Sequence, residues 1–190
     1  GGGIGGRINP VIRIRGVATP SPLPHLSATS LFVDGVFALG GANGVGIGLV
    51  RALLAQGCKV AMADIRQDAI DKALATLDNA EVMGVQVDVS SREGMAAAAD
   101  AVEAKFGPVT LLFNNAGVNL CQTIEESSYA DWDWLMGVNL HGPINGCMTF
   151  VPRMIAHGQG ASVVNPASMA GLLAAGSPGV DNTTKLAVRG

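Results

Sequence analysis

The chain of 190 residues has few cysteines, few histidines and no long apolar run. Its three cysteines and three histidines are scattered and form no CxxC pair, so we expect neither a disulfide framework nor a metal site. This cysteine usage favours a reducing, cytoplasmic location. No stretch of 18 apolar residues is free of charges and glycine, so the sequence predicts no membrane span.

Charged side chains are also scarce, at 14% of the residues, whereas hydrophobic residues reach 48%. This balance excludes a disordered protein or a coiled coil and is typical of one globular domain. The net charge of −3 argues against binding to nucleic acid or to an anionic membrane. With only 4% aromatic residues, the core is expected to pack through small and branched aliphatic side chains.

Acidic residues are absent from residues 1–33, which contain three arginines and four prolines. We interpret this segment as a disordered or spuriously translated N-terminal extension. A transit peptide is the alternative, because such peptides are also poor in acidic residues. The glycines at its start follow no strand and are not interpreted as a phosphate loop. The domain is expected to span residues 34–190, with a net charge of −6.

From residue 34 onward, short apolar runs alternate with helical patterns. Repeated strand–helix units of this length predict an α/β fold with a doubly wound parallel sheet and helices on both faces. Ser90 with Glu93 predicts a capping box for the third helix, and Ser128 predicts the start of the fourth. Ligands of such sheets bind at the carboxyl ends of the strands. The predicted strands are 36–39, 59–63, 81–87, 109–113 and 161–165.

A glycine-rich turn, GGANGVG at residues 40–46, follows the first strand and opens the first helix. Glycine lets the backbone approach a pyrophosphate, and the helix N-terminus supplies free N–H groups. Asp64, 18 residues after Gly46, ends the second strand, where its carboxylate would bind the adenosine ribose and repel a 2′-phosphate. The spacing predicts dinucleotide binding, with a purely structural turn as the alternative. Asp64 and Asn43 favour NAD over NADP, whereas Arg66 could accept the phosphate.

Further motifs follow in order along the chain. Asp88 and Val89 come after the third strand, and residues 114–117 read NNAG after the fourth. Asn139 lies in VNL, and Ser168 lies in NPASMAG. With the glycine turn, these motifs resemble the short-chain dehydrogenase/reductase (SDR) family over about residues 34–190. The resemblance implies a Rossmann-like fold and an NAD(P)-dependent reaction.

The resemblance also implies roles for single residues. Lys185 follows Ser168 by 17 residues, which is a family spacing, and matches the catalytic lysine. The implied catalytic residues are Asn139, Ser168, Asp181 and Lys185. The implied cofactor-binding residues are Gly40, Asn43, Val45, Gly46, Asp64, Ile65, Asp88, Val89, Asn115, Ala116, Gly117 and Lys185.

Residues 131–156 are similar to the branch of this family that contains the Cα-dehydrogenases of lignin-derived aryl alcohols. The implied reaction interconverts a secondary alcohol and a ketone by hydride transfer, so the implied partner is a small alcohol or ketone. The last two strands of the family's sheet and its substrate-capping segment are expected to be missing. That loss would compromise a family-type homo-oligomer and leave the fifth strand as an exposed edge.

Two residues depart from the family pattern. Leu39 stands where the family usually has threonine, and Asp181 stands where it has the catalytic tyrosine. A carboxylate is a poor proton donor for a carbonyl, and we interpret Asp181 as a helix N-cap. Two functions therefore remain open: an SDR oxidoreductase, or a catalytically inactive dinucleotide-binding fragment.

Overall fold

The computed structural model describes residues 11–14, 35–78, 81–168 and 179–189. Its described strands form one sheet in the order β1-β6-β5-β2-β3-β4. Strands β2 to β6 are all parallel, whereas β1 runs antiparallel to β6. The predicted doubly wound, Rossmann-like sheet is therefore confirmed. The strands are β1 (Val11–Ile14), β2 (Gly35–Leu39), β3 (Lys59–Asp64), β4 (Val82–Gln86), β5 (Leu111–Asn114) and β6 (Ala161–Val164).

Helices connect the parallel strands and cover both faces of the sheet. One face carries a cluster of buried side chains from the strands, α3 and α5, including Phe37, Leu112 and Phe150. The opposite face packs on α1 and α2 through residues such as Val60 and Ile70. The helices are α1 (Gly44–Ala55), α2 (Gln67–Leu77), α3 (Arg92–Phe106), α4 (Tyr129–Leu135), α5 (Gly142–His157) and α6 (Gly179–Arg189). A turn of π-helix, Met136–His141, joins α4 to α5.

The edge of the fifth parallel strand, β6, is not exposed as the sequence predicted. Val11–Ile14 pairs antiparallel with it, so that Val11 lies opposite Val164 and Ile14 opposite Ala161. Val163 is only 1% exposed. The prediction of an open edge is wrong because four residues of the predicted disordered extension form a strand there. The other residues of that extension lie outside the described residues.

The N-termini of α3 and α4 can be compared with the predicted N-caps. The cap of α3 is Ser91 rather than Ser90, and its side chain accepts a hydrogen bond from the Gly94 N–H at 3.0 Å. The predicted box was wrong by one residue because the Ser90 hydroxyl donates instead to Asp88 at 2.7 Å. Ser128 caps α4 as predicted, in a reciprocal box with Asp131. Hydrogen bonds from Ser128 hold the pKa of the Asp131 carboxyl below its ordinary value.

Neither a membrane-spanning helix nor a metal-binding cluster is found among the residues that the structure describes. None of the described helices is both long and apolar enough to cross a bilayer. In the same part of the chain, no three His, Cys, Asp or Glu side chains are grouped so that they could hold a metal ion.

Candidate active site

The glycine turn lies between β2 and α1 and contacts the loop that follows β5. Gly40 and Gly44 have φ angles of +65° and +50°, which favour glycine. A Cβ on Gly40 would lie 2.8 Å from the Cα of Ala116, whereas a Cβ on Gly44 would meet no atom within 4 Å. The turn is therefore packed on one side and open at Gly44, where α1 begins. Space for a ligand exists beside the helix N-terminus.

Asn43 occupies the N-cap position of α1 in an extended conformation, and its side chain makes no capping hydrogen bond. The first N–H groups of α1 are thus not capped by that side chain, and the positive end of the helix dipole faces the open side of the turn. Val45 is 80% exposed beside them. Leu39, at the usual threonine position, is 1% exposed and belongs to the core, so no hydroxyl braces the turn there.

The role of the glycine turn in folding and dinucleotide binding can be tested at Gly46. A Cβ at this position would overlap the carbonyl oxygen of Gly40, which is backbone and cannot move aside. We expect Gly46→Ala to destabilise the fold by about 1–3 kcal/mol and to weaken dinucleotide binding at least tenfold, because the turn must open. Thermal melting and a fluorescence titration with NADH measure the two effects.

Gly48→Ala is the matched control, because it adds the same methyl group to the same helix. Nothing lies within 4 Å of a Cβ at Gly48. Alanine also has the higher helix propensity, so this variant should melt at or above the parent temperature. Equal NADH affinity in the Gly46→Ala variant would contradict the assignment of the turn as the pyrophosphate site.

The carboxyl ends of β3 and β4 form the next part of the crevice. Asp64 ends β3, is partly buried, and accepts a hydrogen bond from the Arg66 N–H at 3.2 Å. Ile65, beside it, is 58% exposed and available to contact a flat ring. After β4, Asp88 accepts hydrogen bonds from both the N–H and the hydroxyl of Ser90. These contacts fix both carboxylates at the edge where a dinucleotide would lie.

Val89 is 7% exposed, and its position depends on a residue that the sequence did not single out. The Asn145 side chain, on α5, donates to the carbonyl oxygens of Val89 and Ser90 at 2.9 and 3.2 Å. Asn145 is buried and therefore fastens α5 to the loop after β4. In the sequence, Asn145 could have been recognised as a single asparagine on the apolar side of a helix.

The loop after β5 joins the glycine turn to the helices. The Asn115 side chain donates to the carbonyl oxygen of Gly40 at 3.3 Å. A Cβ on Gly117 would lie 3.3 Å from the Lys185 Nζ atom and 3.5 Å from the Asn139 Oδ1 atom. Lys185 and Asn139, which are 46 residues apart in the chain, therefore meet at Gly117.

Asn139 ties this loop to α6. Its Oδ1 atom accepts from the Val118 N–H at 2.8 Å, and its Nδ2 donates to the Val118 carbonyl at 3.0 Å and to the Thr184 hydroxyl at 3.1 Å. Both Asn139 and Thr184 are buried. The side chain is thus held in one orientation by three hydrogen bonds, with Lys185 adjacent to Thr184.

Asn139 lies in the π-turn, which the helical periodicity did not reveal. A signal is nevertheless present: Pro143 follows four residues later and has no N–H with which to bond the Asn139 carbonyl. A proline ring also clashes with the carbonyl four residues before it, so the helix must deform. Wide turns of this kind are common at functional sites.

Asp181 differs most from its prediction. Helix α6 begins at Gly179, so Asp181 lies in the first helical turn and is not the N-cap. The residue is 5% exposed, and its buried Oδ1 atom has no hydrogen-bond partner among the described residues. Ser168 is partly buried at the end of the described loop after β6, and residues 169–178 are outside the described residues. The structure thus brings Asn139, Thr184 and Lys185 together and leaves an acidic side chain buried one turn before Lys185.

The parallel sheet, with its glycine turn at the carboxyl ends of the strands, defines a Rossmann-like domain. A family model described as short chain dehydrogenase matches residues 35–190, and the chain belongs to this family. The chain is 44% identical over 154 residues to the C alpha-dehydrogenase of Sphingobium sp. strain SYK-6, which covers 80% of this chain and 50% of that relative. The predicted resemblance to the Cα-dehydrogenase branch is thereby confirmed.

Solved structures agree with this assignment. A short-chain dehydrogenase from Novosphingobium aromaticivorans is 70% identical, with a TM-score of 0.78 over 82% of this chain and 60% of its own. A family member from Burkholderia phymatum, solved in complex with NAD, is 39% identical, with a TM-score of 0.79 over 82% of this chain and 56% of its own. The chain therefore spans between half and two thirds of the length of these relatives.

Proposed function

We propose that this chain binds NAD in the crevice at the carboxyl ends of its strands and takes part in the interconversion of a secondary alcohol and a ketone. The observation that carries the proposal is the convergence of the glycine turn, Asp64 and the Asn139–Lys185 pair along one edge of the sheet. The bound nicotinamide would supply or accept the hydride. The name of the Sphingobium relative supports an aryl alcohol as the substrate.

The residues present fit this cofactor. The open face at Gly44 and the first N–H groups of α1 suit the pyrophosphate, and Asp64 suits the hydroxyls of the adenosine ribose. Lys185, as an ammonium beside Gly117, would hold the hydroxyls of the nicotinamide ribose. Asn139 keeps the loop after β5 in place beneath it. The hydroxyl of Ser168 would donate a hydrogen bond to the substrate oxygen.

A second function is favoured by one observation, the replacement of the family's tyrosine by Asp181. An acid/base group must be within hydrogen-bond reach of the proton that it transfers, and an ionised carboxylate has no proton to donate. Asp181 therefore supports a second function, in which the chain binds the dinucleotide but does not turn over alcohols. Cofactor affinity and turnover, measured on the same sample, separate the two functions. In either case we expect a cytoplasmic protein.

The cofactor preference is tested at Asp64. We expect NAD to bind at least about tenfold more tightly than NADP, because a carboxylate at the end of β3 repels a 2′-phosphate. Asp64→Ser should narrow this ratio, chiefly by improving NADP binding. Calorimetric titration of both cofactors measures the change.

Asp71→Ser removes the same charge from the exposed surface of α2 and serves as the control. Its cofactor ratio should match that of the parent chain. Equal affinities of the parent chain for NAD and NADP would contradict the role given to Asp64, and a lack of binding to either would contradict the proposed function.

A further inference from the structure

One oxygen of the Asp181 carboxyl group is an unsatisfied acceptor among the described residues. It is 5% exposed, and its Oδ1 atom is buried without a hydrogen-bond partner. Leaving such a group without a donor costs free energy, more so when the group is ionised. A buried carboxylate with an unused oxygen therefore favours a partner that brings both a hydrogen-bond donor and a positive charge.

Asp181 lies on α6 one helical turn before Lys185, which lines the proposed cofactor crevice. Thr184 donates to the Asp181 backbone carbonyl at 2.9 Å and accepts from the Asn139 side chain. One turn further along α6, the Lys185 Nζ atom lies against Gly117. The Asp181 carboxylate and the Lys185 ammonium form no ion pair within 4.0 Å, so Lys185 is not a direct hydrogen-bond donor to the acid.

A ketone is a poor match for this acceptor. A carboxylate and a carbonyl oxygen both accept hydrogen bonds and donate none, so they repel each other at close range. A protonated imine carries an N–H donor and a positive charge, and it matches the carboxylate in both respects. It also removes the need for a proton donor, which is the step that an ionised carboxylate performs badly.

We propose that Asp181 makes this crevice selective for a carbon–nitrogen substrate, namely a protonated imine or the corresponding amine, and that this chain binds such cations beside the dinucleotide. In the reaction, the imine carbon accepts a hydride from the reduced nicotinamide, and a C–H bond forms. The π electrons of the C=N bond become the lone pair of the neutral amine nitrogen, and the nicotinamide is oxidised. No proton enters or leaves. This inference rests on the proposed dinucleotide binding.

The test uses the 190-residue chain saturated with NADH, whose binding is first established by fluorescence. Pyrrolidinium is then titrated as a non-reacting cation, with cyclopentanone as the matched ketone. Dissociation constants come from ligand-observed NMR, so the result does not depend on turnover. NADH oxidation with 2-methyl-1-pyrroline, and NMR detection of 2-methylpyrrolidine, provide the second readout.

We expect pyrrolidinium to bind at least tenfold more tightly than cyclopentanone. Asp181→Asn, which keeps the shape and removes the charge, should abolish that preference. Asp133→Asn removes one charge from an exposed site on α4 and should leave the preference unchanged.

The outcomes are distinguishable. If NADH binds but the parent chain prefers cyclopentanone, or if Asp181→Asn retains the preference for pyrrolidinium, the inference is wrong and dinucleotide binding stands. If NADH does not bind, both the proposed function and the inference are wrong. The comparison of the two ligands on the parent chain decides the matter even if Asp181→Asn fails to fold.

Discussion

Replacing Asp181 with tyrosine is expected to raise the rate of alcohol oxidation by about 10²–10⁴-fold, the usual contribution of a positioned acid or base. The phenol can both accept and donate the proton, and Lys185 lies one helical turn away. Because the chain spans only 60% of the Novosphingobium short-chain dehydrogenase, the comparison uses a fusion that supplies the part of that relative which this chain does not cover. Initial rates of NADH formation with a secondary aryl alcohol give the ratio.

Asp181→Phe in the same fusion separates the hydroxyl from the ring. It supplies the aromatic volume without the proton-transferring group and should remain as slow as the Asp181 fusion. Equal rates for the Asp181 and tyrosine fusions would show that the carboxylate, or a water molecule, transfers the proton. If neither fusion is active, NADH titration shows whether the glycine turn with Leu39 or the substrate pocket is at fault.

Phe150→Ala is expected to lower the free energy of unfolding by about 3–5 kcal/mol, the usual cost of removing a large buried aromatic side chain. Phe150 is fully buried on α5, and its ring centroid lies 4.7 Å from that of Phe37 on the central strand β2. The lost contact joins α5 to the sheet. Urea unfolding followed by circular dichroism measures the change.

Met148→Ala is the control on the same helix. Met148 is 72% exposed, so its truncation should change the free energy of unfolding by no more than about 0.5 kcal/mol. Because α5 continues directly from the π-turn that holds Asn139, Phe150→Ala should also weaken NADH binding. A Phe150→Ala variant as stable as the Met148→Ala variant would contradict the described core.

The parallel sheet could be predicted because its strands are short apolar runs of the kind buried on both faces, and β2 is buried along its whole length. Each run is followed by polar or glycine residues, and these mark the carboxyl ends where the crevice forms. The positions of Gly40, Asp64, Asp88 and Asn115 could therefore be predicted from their place after a strand. The other site residues could be predicted from the order in which the family's motifs occur along the sequence.

The sequence could not predict which residue caps a helix, because contacts with neighbouring residues decide this. Ser90 and Ser91 both have the chemistry of an N-cap, and the nearby Asp88 carboxylate decides between them by taking the Ser90 hydroxyl. Asp181 has the chemistry of a cap as well, but α6 begins two residues earlier, at Gly179, and buries it. Local propensity does not contain these tertiary contacts.

Strand β1 is synthesised well before its partner β6, which is the last of the described strands along the chain. About 150 residues separate them. At about 5–20 residues per second, synthesis of that interval takes roughly 7–30 s. The pairing has a high contact order, so the parallel strands can assemble before β1 docks. A strand that is made early thus pairs late, and until β1 docks, one edge of β6 presents unpaired backbone groups to other nascent chains.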